Sequence, residues 1–463
     1  MGFMIRQIPE TANLADEAAL EALARALPRV EVQRVVSDLG VAEQRRRKLP
    51  AELVILFAVA MNLFTQQSLS QVLVKMVKGL RLIWPEPEFE TASKSAICQA
   101  RYRLGARPLV ELFHRVCQPL AEPDTKGAFG FGLRLMALDL TVEDAPDSPE
   151  NARAFGRHFS DRGQSAFPQV LCAYLEECGT HAIVDAGVWP CHANQHASAQ
   201  RLLRSVGPGM LLTWDCGLHS FEIAQKTRAK DAHFLGRVPA SAKPTCLRRL
   251  GDGSYLAYIY PDDRRRRRAG EQLLVRIIEY TLTDPNRAGY GEVHRLMTSL
   301  LDHEACPALA LILAYHERWE IELTIDELDT HQRLAQHPLR SKQPVGVIQE
   351  LYGLLLAHYA VRKAMHDSAI KHDLDPDRLS FTNALELVRD AISDFQLVAP
   401  EAHPRLYQRL LDDIAHYQLP PRANRINPRV VKRKMSKFNR KRPEHQHWPQ
   451  PTRPFHQAVA VLI

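Results

Sequence analysis

No two of the eight cysteines stand in a Cys-x-x-Cys pair, which excludes zinc-knuckle and thioredoxin-type motifs. They read as reduced core thiols. The loose set His181, Cys191, His192 and His196 matches no tetrahedral ligand spacing. Long apolar runs are missing too. The longest, Leu53 to Phe64, has twelve residues, too few to span a bilayer. The opening stretch MGFMIRQIPETANLADEAAL has no signal-peptide core and carries Glu and Asp early, unlike a transit peptide. A cytosolic protein without a membrane partner is the expectation. Neither charge sign dominates: 60 Lys+Arg stand against 53 Asp+Glu, a net +7, so a polyanionic partner is signalled only where the basic residues cluster.

What is present is an ordinary globular composition, 45% hydrophobic and 24% charged. The 463 residues exceed what one core organises, so two or three units are expected. Residues 15 to 120 carry helical periodicity (DEAALEALARAL, ELVILFAVAMNLF, SLSQVLVKMVKGL, PLVELFHRVCQPL), and residues 1–125 read as a helical N-terminal domain. Within it, Lys94, Arg101, Arg103 and Arg107 surround Tyr102, which suits a DNA-contacting helix and a solvated basic face equally.

Past EPDTKGAFGFG the pattern turns to strands: LRLMALDLTV, FPQVLCAYLEE and THAIVDAGV, then a helix through SAQRLLRSV and the short run MLLTWD. Strands with an intervening helix indicate an α/β core over 130–225. Residues 226–308 read as a β-rich insertion, with Arg264 to Arg268 at a hairpin-like tip. The chain is again mostly helical over 309–400. In the tail, 401–463, the stretch Arg422 to Arg442 holds ten Lys or Arg and no acid, including Lys432, Arg433 and Lys434, as a polyanion-binding arm does.

YHERWEIELTIDELDTHQ, residues 315 to 332, carries six carboxylates. On a helical wheel His316, Glu317, Glu320, Thr324 and Glu327 share one arc, read as a solvent face. Opposite lie Tyr315, Arg318, Glu322, Asp326 and Asp329, flanked by Ile321, Ile325 and Leu328 and by Trp319 and Leu323. A polar stripe between apolar borders faces a cleft or is neutralised inside. Geometry alone favours a structural ion pair of Arg318 with Glu322 over a catalytic carboxylate. Two further acids shift that balance. Asp139 follows the apolar RLMAL, and Asp215 ends MLLTW before Cys216-Gly217. Three acids converging at strand ends make an oxygen-rich site suited to Mg²⁺. Two such ions activate an attacking hydroxyl and stabilise the leaving oxygen of a phosphodiester.

YHERWEIEL resembles the Tyr-x-x-Arg-x-x-x-Glu-x-x-x-x-x-x-Lys signature of insertion element 4 type transposases, a group with a ribonuclease H-like fold and an Asp-Asp-Glu triad. LDLTVEDAPDSPENARAFGR resembles the segment of the first aspartate, LLTWDCGLHSFE that of the second, and RSKQPVGVIQELYGLLLAHYAVR the one after the glutamate. LPRVEVQRVVSDLGVAEQRRRKLPAELVILFAVAMNLF resembles the N-terminal domain of these proteins, so the likeness covers about residues 20 to 440.

The resemblance implies an α/β ribonuclease H-like catalytic core with a β-rich insertion, preceded by an all-helical domain. It makes Asp139, Asp215 and Glu322 the metal-binding triad for two Mg²⁺ or Mn²⁺ ions. Tyr315 and Arg318 become DNA contacts near the cleavage site, with Arg264, Arg266, Lys432, Arg433 and Lys434 as non-specific phosphate contacts. The implied activity is cut-and-paste transposition: binding of terminal inverted repeats, cleavage, and strand transfer into target DNA by a dimer holding two ends. Three positions depart from the pattern. Asp329 stands in place of the signature lysine, Leu140 in place of a glycine, and Cys216 in place of an arginine, so Lys342, His331 or Arg340 becomes the candidate for the missing positive charge. An impaired, DNA-binding descendant and a plain metal-dependent nuclease are the rival readings.

Overall fold

The computed structural model describes residues 2–9, 12, 17–45, 47–84, 92–160, 163–287, 289–333, 338–420 and 451–462. Lys432, Arg433 and Lys434 lie outside them. Among the described residues no helix is long and apolar enough to cross a membrane.

The centre is a sheet whose first five long strands are β1 (Leu133–Asp144), β2 (Gln169–Glu177), β3 (Ala182–Pro190), β4 (Met210–Trp214) and β5 (His233–Val238). They lie in the order β3-β2-β1-β4-β5. β2 runs antiparallel to both neighbours, whereas β4 pairs parallel with β1 and β5 parallel with β4. That order, with only the second strand reversed, is the ribonuclease H-like arrangement. Four of its strands were legible as apolar runs bounded by turns; β5, HFLGRV, falls in the stretch read as the insertion and is instead the fifth core strand.

The insertion proper is not a separate sheet. β6 (Tyr255–Ile259), β7 (Leu273–Leu282) and β8 (His294–Thr298) continue the central one in the order β5-β8-β7-β6, all antiparallel. β9 (Val459–Val461), near the end of the chain, adds to β7. With two further two-residue strands the sheet has eleven. β6 and β7 form a hairpin, and Arg264–Arg268 sits in its connection as a short helix capped by Asp263.

The N-terminal helices pack on the core rather than apart from it. Helix Ala51–Leu63 is apolar all round and buried at all but one of its residues, as a helix enclosed on every side must be. It lies along the long helix Pro344–His372, where Gly353 allows the approach: a Cβ there would sit 2.4 Å from the Ala58 carbonyl oxygen. Asn62 closes the contact by donating to the Glu350 carbonyl (3.1 Å). Arg101, read as a possible DNA contact, is buried and donates to Gln349 Oε1 (3.1 Å), Ser341 Oγ (3.0 Å) and the Gly346 carbonyl (3.0 Å). Arg103 donates to the Leu49 carbonyl (2.8 Å). Two of the four cations in that basic cluster therefore join elements of this chain.

Candidate active site

The parallel register pairs Leu138 of β1 with Trp214 of β4, so the next residue on each strand is an aspartate, Asp139 and Asp215. Both are set by backbone amides. Asp139 Oδ1 accepts from Leu140 N (2.8 Å). Asp215 Oδ1 accepts from Gly217 N (2.9 Å) and Leu218 N (3.3 Å), capping the tight turn Cys216–Leu218. An exposed Cys216 fits that turn without touching the carboxyl's anchoring.

Glu322 arrives on a composite helix. Ala308–His316 is α-helical, Glu317–Trp319 tightens to 3₁₀, Glu320–Asp326 is α again, and Glu327–Gln332 widens to a π-helix. Arg318 binds this helix to the sheet: Nη2 lies 3.3 Å from Glu322 Oε1 and Nη1 3.8 Å from Asp139 Oδ2. Burial raises the Asp139 carboxyl to about 6, with Leu140 N–H and Arg318 opposing the rise and the charges of Asp215 and Glu322 adding to it. The three predicted acids thus feel one another, and one guanidinium stands among them. Tyr315 is buried, 6% exposed, and its hydroxyl donates to the Trp214 carbonyl (3.2 Å). That gives it a place inside the site rather than an open face toward a phosphate.

Around this centre the structure corrects several expectations. The arc read as solvent-facing is largely covered: Glu320, Thr324 and Glu327 are buried. Glu327 accepts from Arg362 Nε (3.0 Å) and faces His358 Nε2 (3.1 Å). His181 Nε2 lies 3.0 Å from Asp377 Oδ1 and 4.0 Å from Glu320 Oε2. Among the described residues, His181, Glu320 and Asp377 are the metal-capable group whose ligand atoms come within 4.8 Å of one another, and the triad is not drawn together to that degree. Burial and Arg362 oppose a charge on His181, yet Asp377 and Glu327 raise it to about 9, so its own imidazolium supplies the cation. Periodicity could not reveal this layer, because helix Pro344–His372 and the turn Pro376–Arg378 cover the arc from far along the chain.

Arg266 is likewise committed within the chain, donating to Glu271 Oε2 (2.6 Å), Glu222 Oε1 (2.9 Å) and Gln225 Oε1 (3.2 Å). It fastens the hairpin to helix Phe221–Arg228, whereas Arg264, Arg265 and Arg268 are exposed. Asp329 meets Arg333 Nη1 at 3.3 Å, and Arg333 also pairs with Glu143, four residues beyond Asp139 on the same face of β1. Burial and Glu143 raise Asp329 to about 8, Arg333 opposing. Of the cations proposed to replace the lysine, Arg340 donates to the carbonyls of Met61 (2.6 Å) and Gln67 (3.1 Å), and His331 lies 3.6 Å from Asp326. Lys342 is exposed. Arg333, which sequence reasoning passed over, is the cation beside Asp329; period-two alternation from Asp139 would have flagged its partner Glu143.

Residues 17–114 match the family described as insertion element 4 transposase N-terminal, and residues 132–360 the transposase DDE domain. The chain belongs to the insertion element 4 transposases. This transposase is 29% identical over 414 residues to transposase InsG for insertion sequence element IS4 of Escherichia coli (strain K12), covering 88% of this chain and 90% of the relative. It is 25% identical over 216 residues to putative transposase InsZ of the same organism, covering 46% and 69%. Among solved structures, a piggyBac transposase synaptic complex with hairpin DNA matches at 13% identity with a TM-score of 0.43, covering 93% of this chain and 90% of that one. The transposase acts on DNA and cleaves it, and its family depends on divalent metal.

Proposed function

We propose that Asp139, Asp215 and Glu322 are the catalytic triad of this transposase, holding two Mg²⁺ or Mn²⁺ ions. The register that pairs Leu138 with Trp214, and so sets Asp139 within β1 beside Asp215 just past the end of β4, with Arg318 linking Glu322 to the first, is the observation that carries the reading. The donor set fits: all three side chains offer oxygen, and three carboxylates share one guanidinium, leaving an excess of negative charge for a divalent ion to balance. When bound, such ions supply Lewis-acid stabilisation of a phosphodiester undergoing in-line attack. The chain's own residues do the rest. Asp139 and Asp215 present carboxylates on a rigid sheet, with one oxygen of each fixed by backbone N–H groups. Tyr315 ties the Glu322 helix to the backbone before Asp215, and Arg318 binds a phosphate near the scissile bond.

The substrate is the pair of terminal inverted repeats of the protein's own element, held by a homodimer and then joined to target DNA in the bacterial cytosol. Arg264 and the basic tail with Lys432, Arg433 and Lys434 add sequence-independent phosphate contacts. Arg333 is held by Glu143 and Asp329, so it does not replace the missing signature lysine as a DNA contact, and the impaired descendant is a rival that the cleavage assay decides. The test is metal-dependent cleavage of duplexes carrying the element ends, wild type beside Glu322→Gln. Cleavage by the wild type with joining of a 3′-hydroxyl strand to plasmid supports the reading. Binding without cleavage favours the impaired form, cleavage without joining a plain nuclease, and unchanged cleavage by Glu322→Gln removes Glu322 from the site.

A further inference from the structure

Arg318 occupies the position of a counter-ion. Its guanidinium, 5% exposed, lies 3.8 Å from Asp139 Oδ2 and 3.3 Å from Glu322 Oε1, over the Tyr315 ring at 5.7 Å. The Asp139 oxygen nearest the guanidinium is Oδ2, while Oδ1 accepts the Leu140 amide at 2.8 Å. A divalent ion ligated by both Asp139 and Glu322 must therefore compete with the guanidinium for the same oxygens. It also repels that guanidinium at close range in a partly desolvated site.

We infer that Arg318 is the resident cation of the triad in the DNA-free protein, and that metal loading moves it from the carboxylates to a DNA phosphate, coupling the two binding events. The inference rests on the triad proposed above. To a guanidinium displaced from two carboxylates in a partly desolvated site, a phosphodiester seated beside the triad offers an anion in bidentate geometry. Metal binding without DNA is then opposed by the cost of separating Arg318 from its carboxylates. With DNA in place that cost is offset, so DNA tightens metal binding and metal tightens DNA binding by the same factor. The site is poorly loaded until its substrate is seated, which limits stray hydrolysis by the free protein.

The experiment measures Mn²⁺ affinity from the free-ion electron paramagnetic resonance signal. It compares the full chain as wild type, Glu322→Gln, Arg318→Gln and Arg318→Lys, each with and without a duplex carrying the terminal repeat beside the gene. Wild type is expected to bind Mn²⁺ about tenfold more tightly with the duplex, a size common for coupled sites. Arg318→Gln is expected to bind Mn²⁺ about tenfold more tightly than wild type without DNA and to lose most of the DNA effect. Arg318→Lys, a point charge unable to span both carboxylates, falls between. Thermal unfolding gives a second readout: Arg318→Gln melts below wild type in EDTA and gains more from Mn²⁺ than wild type does. If Arg318→Gln fails to fold, Arg318→Lys decides by the same comparison with wild type. Equal or weaker Mn²⁺ binding by the Arg318 variants, with binding abolished in Glu322→Gln, overturns the inference and leaves the triad standing. Wild-type Mn²⁺ binding by Glu322→Gln overturns the triad and the inference together.

Discussion

The hydroxyl of Tyr315 donates to the main-chain carbonyl of Trp214 at 3.2 Å, and Trp214 immediately precedes Asp215. One side chain thereby links the helix of the third acid to the strand of the second.

Tyr315→Phe removes the donor and leaves a buried carbonyl without it, so urea unfolding should show a loss of about 1 kcal/mol. The larger effect is on geometry. Cleavage of an element-end duplex should slow by about tenfold in kcat with little change in KM, because Asp215 is displaced relative to Glu322 while the DNA surface is kept. A loss confined to KM would make Tyr315 a direct DNA contact instead.

Chelation of divalent metal should abolish strand cleavage while duplex binding persists in a gel-shift assay. Asp139→Asn or Asp215→Asn should do the same at saturating Mn²⁺, with at least about a hundredfold loss in rate, corresponding to several kcal/mol of transition-state stabilisation.

Glu176 on β2 gives a pH dependence. Burial raises its carboxyl to about 7, with His181 and Thr324 opposing the rise. The native state therefore holds this proton more tightly than the unfolded chain, whose carboxyl titrates near 4.5. Its contribution is fully present below pH 4.5 and is lost as pH rises toward 7, on the order of 3 kcal/mol over that window. Glu176→Gln should flatten that part of the pH profile of urea midpoints and exceed the wild type in stability at pH 8. A parallel profile for the two proteins would contradict the assignment.

Arg333 carries opposite charges for two acids, Glu143 and Asp329. Arg333→Gln leaves the buried Glu143 without its cation and should cost roughly 3 kcal/mol in chemical denaturation. Asp329→Lys with Arg333 kept, which restores the signature residue, should also destabilise the fold, because the new ammonium faces Arg333.

The arginine run should divide by function. Replacing Arg264, Arg265 and Arg268 with Gln should reduce the salt dependence of DNA affinity, by about one unit of slope for each phosphate no longer neutralised. Arg266→Gln should leave that slope unchanged and make the hairpin more sensitive to limited proteolysis, since its guanidinium is held by Glu222 and Glu271.

How much of this was written locally differs from residue to residue. Asp139 and Asp215 stood out because each acid interrupts an apolar run, but only Asp215 follows the end of its strand, while β1 continues past Asp139 to Asp144. Glu322 needed the resemblance, because a wheel showed only that it lay inward. The other arc failed, since burial of Glu320 and Glu327 depends on Arg362, His358, His181 and Asp377, residues up to 327 − 181 = 146 positions distant in the chain. Arg266 misled for the same reason: five arginines in a row state a charge, and only the folded chain says which acids claim it. The strand β5 was lost between two labels because nothing in HFLGRV says that its parallel partner is β4.

The crossing of Ala51–Leu63 over Pro344–His372 limits how the protein can be taken apart. Gly353 leaves no room for a side chain between the two helices, and a fragment ending near residue 125 would carry Ala51–Leu63 with its apolar surface stripped of cover. Such a fragment should precipitate rather than bind DNA, and the remainder should expose the matching stripe. What looks along the chain like a detachable reading head and an engine is, in space, one casting, so grafting a new end-binding specificity onto this enzyme means recasting that shared seam as well.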